Sequence, residues 1–144
     1  MKRTSAHFLL GAILCLCMLH VQNISAQEAA PTVNTGIPDI ILIPMAELPV
    51  EKLQKAVMAA APVRDWIPRV TSENCIRCDI TVRGKHRVII DVLLDPKQIT
   101  FRYVSSENMN YDPVKKKIHR KYEPWVNLLK AEVNKQIGQL STAP

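Results

Sequence analysis

"IRCDITVRGKHRVIIDVLLDPKQITFRYVS", residues Ile76 to Ser105, decides the fold. Its apolar residues recur every second position, the period of a strand with one face buried. Ile76, Cys78, Ile80 and Val82 fall on one face of the first run, with Arg77, Asp79 and Thr81 on the other. Gly84 in "RGK" suits a tight hairpin. "HRVIIDVLL" then puts Val88, Ile90, Val92 and Leu94 on the core face. Asp95, Pro96 and Lys97 turn the chain again, and "QITFRYVS" carries Ile99, Phe101 and Tyr103 on one face with Thr100 and Arg102 on the other. Such short connections predict an antiparallel meander, one face covered and one wet. "RVTSEN" just upstream reads as a weak first strand, which makes four.

Working outward, the period changes to 3.6 on both sides. Upstream, Pro49 and Glu51 suit a helix first turn. Leu53, Ala56, Val57, Ala60 and Ala61 form an apolar stripe, and Pro62 is expected to end the helix. Downstream, Glu123 and Pro124 open a last helix with Val126, Leu129, Val133 and Ile137 in its stripe and Leu128 and Leu140 at the margin. The order helix, four strands, helix predicts an α+β domain over residues 49–140, a two-layer sandwich with both helices on one face. Residues 27–48, with Pro31, Pro38 and Pro44, read as an extended leader. Ile40 to Ile43 are apolar enough to lie against the domain.

The first 26 residues have the layout of a secretory signal peptide. Lys2 and Arg3 precede the apolar block Phe8 to Leu19, and small residues around Ala26 offer a cleavage site. The block is too short to span a bilayer. Cys15 and Cys17 follow Leu14 and Leu16 rather than small residues, so a lipid anchor is not expected. The reading is a periplasmic or secreted protein that does not span the membrane.

The chain carries 19 basic and 13 acidic residues, a net charge of +6. The surplus concentrates between Arg83 and Lys121, where ten Lys and Arg residues face Asp91, Asp95, Glu107 and Asp112. "NYDPVKKKIHRKYEPWVNLLK", Asn110 to Lys130, is the densest part. Lys115, Lys116, Lys117, His119, Arg120 and Lys121, with Tyr111, Tyr122 and Trp125, suit an anionic envelope component such as lipid headgroups or lipopolysaccharide phosphates, or another periplasmic protein. Nucleic acid is not expected outside the cytoplasm, and the stacked aromatics of a single-strand platform are few. The structural alternative makes Ile118, Tyr122 and Trp125 anchors of the 106–122 loop, with His119 bonded to nearby backbone.

Cys75-x-x-Cys78 raises thiol, disulfide or metal chemistry. Redox pairs of this spacing open a helix, whereas this pair enters a strand. Three residues of extended chain span about 10 Å, beyond the roughly 7 Å limit between bridged Cα atoms. A disulfide therefore needs Cys75 in a turn. Zinc would need two further ligands, with His86 and His119 as donors. Asp79 and Asp91 lie beside Arg77 and Arg87, which favours a salt-bridge face over acid–base work. There is no glycine-rich phosphate loop and no G-x-S-x-G elbow. No catalytic constellation and no cofactor are expected.

"RYVSSENMNYDPVKKKIHRKYEPWVNLLKAEV" with "TVRGKHRVIIDVLLD" resembles a family of small exported proteobacterial proteins of unknown function, many labelled lipoproteins. Its pattern, Y-x-x-S-x-N-x-x-Y followed by I-H-x-x-Y-x-x-W-V-x-x-L, matches Tyr103, Ser106, Asn108, Tyr111, Ile118, His119, Tyr122, Trp125, Val126 and Leu129. The resemblance covers about residues 46–140 and implies an exported α+β domain without implying a reaction. This chain departs from it in lacking a lipid-attachment cysteine, and the cysteine pair lies outside the pattern.

Overall fold

A computed structural model of the chain describes residues 35–142, within the compact unit Thr32–Pro144. The expected signal peptide and the start of the leader lie outside the described residues. The elements run β1 (Ile40–Leu42), α1 (Val50–Val63), β2 (Ile67–Ser72), β3 (Cys75–Val82), β4 (His86–Asp95), β5 (Gln98–Glu107) and α2 (Tyr122–Thr142). The sheet is antiparallel throughout, in the order β1-β5-β4-β3-β2. The class is α+β, as the meander and its flanking helices imply.

Among the described residues five strands form the sheet, one more than expected. The extra strand comes from the leader, where Ile40 pairs with Phe101 and Leu42 with Ile99. Alternation explains why three residues suffice. Ile40 and Leu42 turn toward the core while Ile41 and Ile43 stay exposed. The edge is further held by an ion pair, Asp39 Oδ2 to Arg102 Nη2 at 3.1 Å.

One core fills the space between the sheet and the two helices. The period-2 faces contribute Ile76, Cys78, Ile80, Val88, Ile90, Val92, Leu94, Ile99, Phe101 and Tyr103, all buried. The helical stripes contribute Leu53, Ala56, Val57, Ala60 and Ala61 from α1, and Val126, Leu129, Val133 and Ile137 from α2. Each fully buried aliphatic or aromatic side chain stabilises the fold by about 1.5–3 kcal/mol. Trp66, 2 % exposed, is a core residue that no periodic pattern marked.

Two boundaries and one register differ from the sequence reading. Pro62 lies inside the last turn of α1 instead of ending it. The missing N–H is tolerated there because the chain then reverses: Arg64 and Trp66 N–H both donate to Ala61 O at 3.0 Å, and Asp65 takes a positive φ of 62°. β2 begins at Ile67, two residues early, because its register with Asp79 carries the pairing back. β5 holds a bulge at Val104, since Ile89 pairs with Ser105 and Ile90 with Tyr103. The bulge rotates Ser106 to the core side, where its Oγ lies 2.8 Å from the Tyr103 hydroxyl.

Candidate functional site: a cationic cleft at the start of α2

The turn between β3 and β4 carries positive φ at Arg83 (55°) and Gly84 (60°), the pair that a type I′ hairpin requires. Lys85 N–H closes it on Val82 O at 3.2 Å. This turn sits beside the segment that leads into α2. Asn108 joins the two: its side-chain amide donates to Lys85 O at 2.8 Å, and its backbone carbonyl accepts from His86 Nδ1 at 2.8 Å. Met109, 1 % exposed, plugs the loop into the core, and its carbonyl accepts His119 N–H at 2.7 Å.

His119 is held on three atoms. Besides that bond, its carbonyl accepts Tyr122 N–H at 3.0 Å and its Nδ1 accepts Lys121 N–H at 3.2 Å. These bonds assign complementary tautomers. His86 donates through Nδ1 and keeps Nε2 as its free nitrogen, whereas His119 accepts through Nδ1 and carries its proton on Nε2. The two rings stack with centroids 6.1 Å apart and planes 26° apart.

Val82, Arg83, His86, His119, Lys121 and Trp125 together line a cleft of about 390 Å³. No carboxylate is among these lining residues. The guanidinium and the ammonium bring positive charge to its wall, and the imidazoles add hydrogen-bonding nitrogens.

The structure divides the expected basic surface. His119, Lys121 and Trp125 meet in the cleft. Lys115, Lys116 and Lys117 belong instead to a tight loop closed by paired backbone bonds between Asp112 and Lys117, at 2.8 and 3.2 Å. Asp112 Oδ1 accepts the N–H of Val114 and of Lys115, each at 2.9 Å, and Lys115 Nζ lies 3.7 Å from its carboxylate. The stem of Lys116 crosses Gly36, where an added Cβ would fall 2.5 Å from Lys116 Cδ. Arg120 lines a smaller cavity of about 110 Å³ with Ile37, Pro38 and Ile118.

Two expected site residues have structural places. Tyr111 donates its hydroxyl to Thr35 O at 2.7 Å, tying the loop to the leader, and tilts against Tyr103 at 5.0 Å. Tyr122 is buried, edge-on to Tyr103 at 5.6 Å, and burial pushes its hydroxyl pKa up. The anchoring role expected of Ile118, Tyr122 and Trp125 is what they perform, all packing on the core. Arg83 and His86 also line this cleft, outside the binding surface expected from the sequence, where His86 was weighed only as a zinc donor and Arg83 only as the start of the basic excess.

The cysteines stand apart from this cleft. Cys75 starts β3 opposite Leu93 and Cys78 faces Ile90, so their side chains point to opposite sides of the sheet. Both are free and buried. The turn that a disulfide needed at Cys75 is a strand instead, which rules the bond out in this conformation. Burial pushes the Cys78 thiol up to about 12 and raises Cys75 as well, opposite to what a reactive thiol needs. Nor do the pair and the two histidines converge: no group of three or more His, Cys, Asp or Glu residues comes together among the described residues.

The other face of the sheet is the salt-bridge face. Arg77 grips Asp91 with both Nε and Nη2, at 2.8 and 2.9 Å, and Arg87 bridges Asp79 and Glu107, at 3.1 and 3.2 Å. Asp79 and Asp91 are thereby occupied by cations. No described helix is long and apolar enough to cross a membrane.

No family model, curated protein or solved structure matches the chain.

Proposed function

We propose that this is an exported, non-enzymatic binding module of the cell envelope that holds an anionic group in the cleft between the β3–β4 turn and the start of α2. One observation carries the reading: Arg83, His86, His119 and Lys121 surround a single cleft beside Trp125. They come from segments far apart in sequence, linked through Asn108, which bonds Lys85 and His86, and its neighbour Met109, whose carbonyl accepts His119 N–H. The export part rests on the charged start, short apolar block and small-residue exit of residues 1–26, and on the resemblance of Tyr103 to Leu129 to an exported family. The envelope supplies abundant phosphate-bearing surfaces for such a site.

Titration calorimetry with inorganic pyrophosphate tests it. Binding should weaken steeply between 20 and 300 mM salt, values chosen to move the screening length from about 20 Å to under 6 Å. It should fall at least tenfold in the double variant Arg83→Gln, Lys121→Gln. Binding that ignores both salt and the double substitution would remove the cleft from consideration.

A further inference from the structure

We infer that the ligand of this cleft is a phosphomonoester carried on a ring with an apolar face, either aromatic or sugar. The inference rests on the anion-binding reading and goes beyond it in naming what surrounds the charge. Its first support is volume. A bare phosphate has five heavy atoms, while the cleft of about 390 Å³ has room for many times the roughly 30 Å³ that one water occupies. That size falls within the range of small-molecule sites, about 300–1,000 Å³.

Its second support is the division of the lining. Trp125 and Val82 supply apolar wall, and Trp125 is half-buried, so its ring is held by the core while part of it remains open to the cleft. An indole face is the strongest stacking partner among side chains for an aromatic ring, and sugars use it through their apolar faces. Arg83 and Lys121 supply two positive charges. A phosphomonoester carries about −1.5 to −2 at neutral pH, which matches two cations better than the single charge of a carboxylate or a phosphodiester. The guanidinium can meet two phosphate oxygens at once, and His119 Nε2–H adds a donor.

Phenyl phosphate, inorganic phosphate and benzoate, titrated into the full chain and followed by nuclear magnetic resonance, separate the parts. Phenyl phosphate should bind about five- to tenfold tighter than inorganic phosphate, the gain expected of one stacked ring, and tighter than benzoate. Trp125→Leu should abolish that advantage, so that phenyl phosphate and inorganic phosphate bind alike. Trp125→Phe, which keeps an aromatic in the core, should retain part of it and serves if the leucine variant does not fold. Equal binding of phenyl phosphate and inorganic phosphate would overturn the ring and spare the anion site. Benzoate as tight as phenyl phosphate would overturn the phosphate. Binding of none would overturn both this inference and the reading beneath it. Vesicles bearing phosphatidylinositol 4-phosphate show the source. Competition with phenyl phosphate assigns a ring phosphate displayed on a lipid surface and its absence a soluble one, and either upholds the class.

Discussion

Arg83 occupies a left-handed backbone position that its neighbour Gly84 adopts without penalty. A side chain with a Cβ costs about 1–2 kcal/mol there, so the arginine sits there against its own backbone preference. Arg83→Gly should therefore leave stability unchanged or raise it by up to about 1 kcal/mol, since glycine's extra unfolded-state entropy offsets part of the relief. The same change should weaken pyrophosphate binding. Thermal unfolding beside a binding titration checks both, and a marked loss of stability would give the side chain a structural task in the turn. Tyr122 offers a contrast. Its hydroxyl is buried with no hydrogen-bond partner among the described residues, and an unsatisfied buried hydroxyl costs about 1–3 kcal/mol. Tyr122→Phe should be neutral or stabilising in urea unfolding. A loss above about 1 kcal/mol would mean that the hydroxyl makes a bond in solution.

At the scale of elements, β1 and the residues before it act as a strap. They close the edge of β5, and Thr35 O receives the Tyr111 hydroxyl while Gly36 lies beneath Lys116. Leu42→Ala should cost about 2–4 kcal/mol. It should also raise hydrogen exchange at residues 109–118, because the loop and the strap share contacts; exchange unchanged there would uncouple them. The strap was only half legible in the sequence. The apolar run Ile40 to Ile43 showed that the leader touches the domain, but the choice of β5 as its partner depends on a contact sixty residues away. The Val104 bulge and the burial of Trp66 are likewise products of tertiary packing. The meander and both helical stripes were legible because burial on one face imposes a period on each. Within the cleft, His119, Lys121 and Trp125 announced themselves as a basic and aromatic run. Their meeting with Arg83 and His86 did not, since no local pattern encodes where a hairpin turn sits over a helix start.

At the scale of the whole molecule, stability should fall off at both ends of the pH range. The hydrogen bond from Gln136, with Lys135 and Arg64 nearby, holds the Glu132 carboxyl below its ordinary 4.5. A depressed folded-state value means that the unfolded chain takes up its proton first. The contribution is therefore complete above about pH 4.5 and is lost as pH falls through the folded value. Glu132→Gln should flatten that acid limb. Cys78 works in the other direction. Its thiol rises from 9.0 to about 12 on folding, so the unfolded chain releases that proton first, and stability declines from about pH 9 toward 12. Cys78→Val should flatten that slope in denaturant midpoints without removing it, since burial raises Cys75 and Tyr122 as well, and an unchanged alkaline limb would show that those groups alone set it. Neither limb touches the central claim, that the cleft and not the lysine loop binds the anion. Mapping amide and side-chain resonances during a phosphate titration tests that claim most directly. The account predicts shifts at the His86 and His119 rings, the Trp125 indole and the Arg83 turn. Shifts confined to Lys115, Lys116 and Lys117 would contradict it.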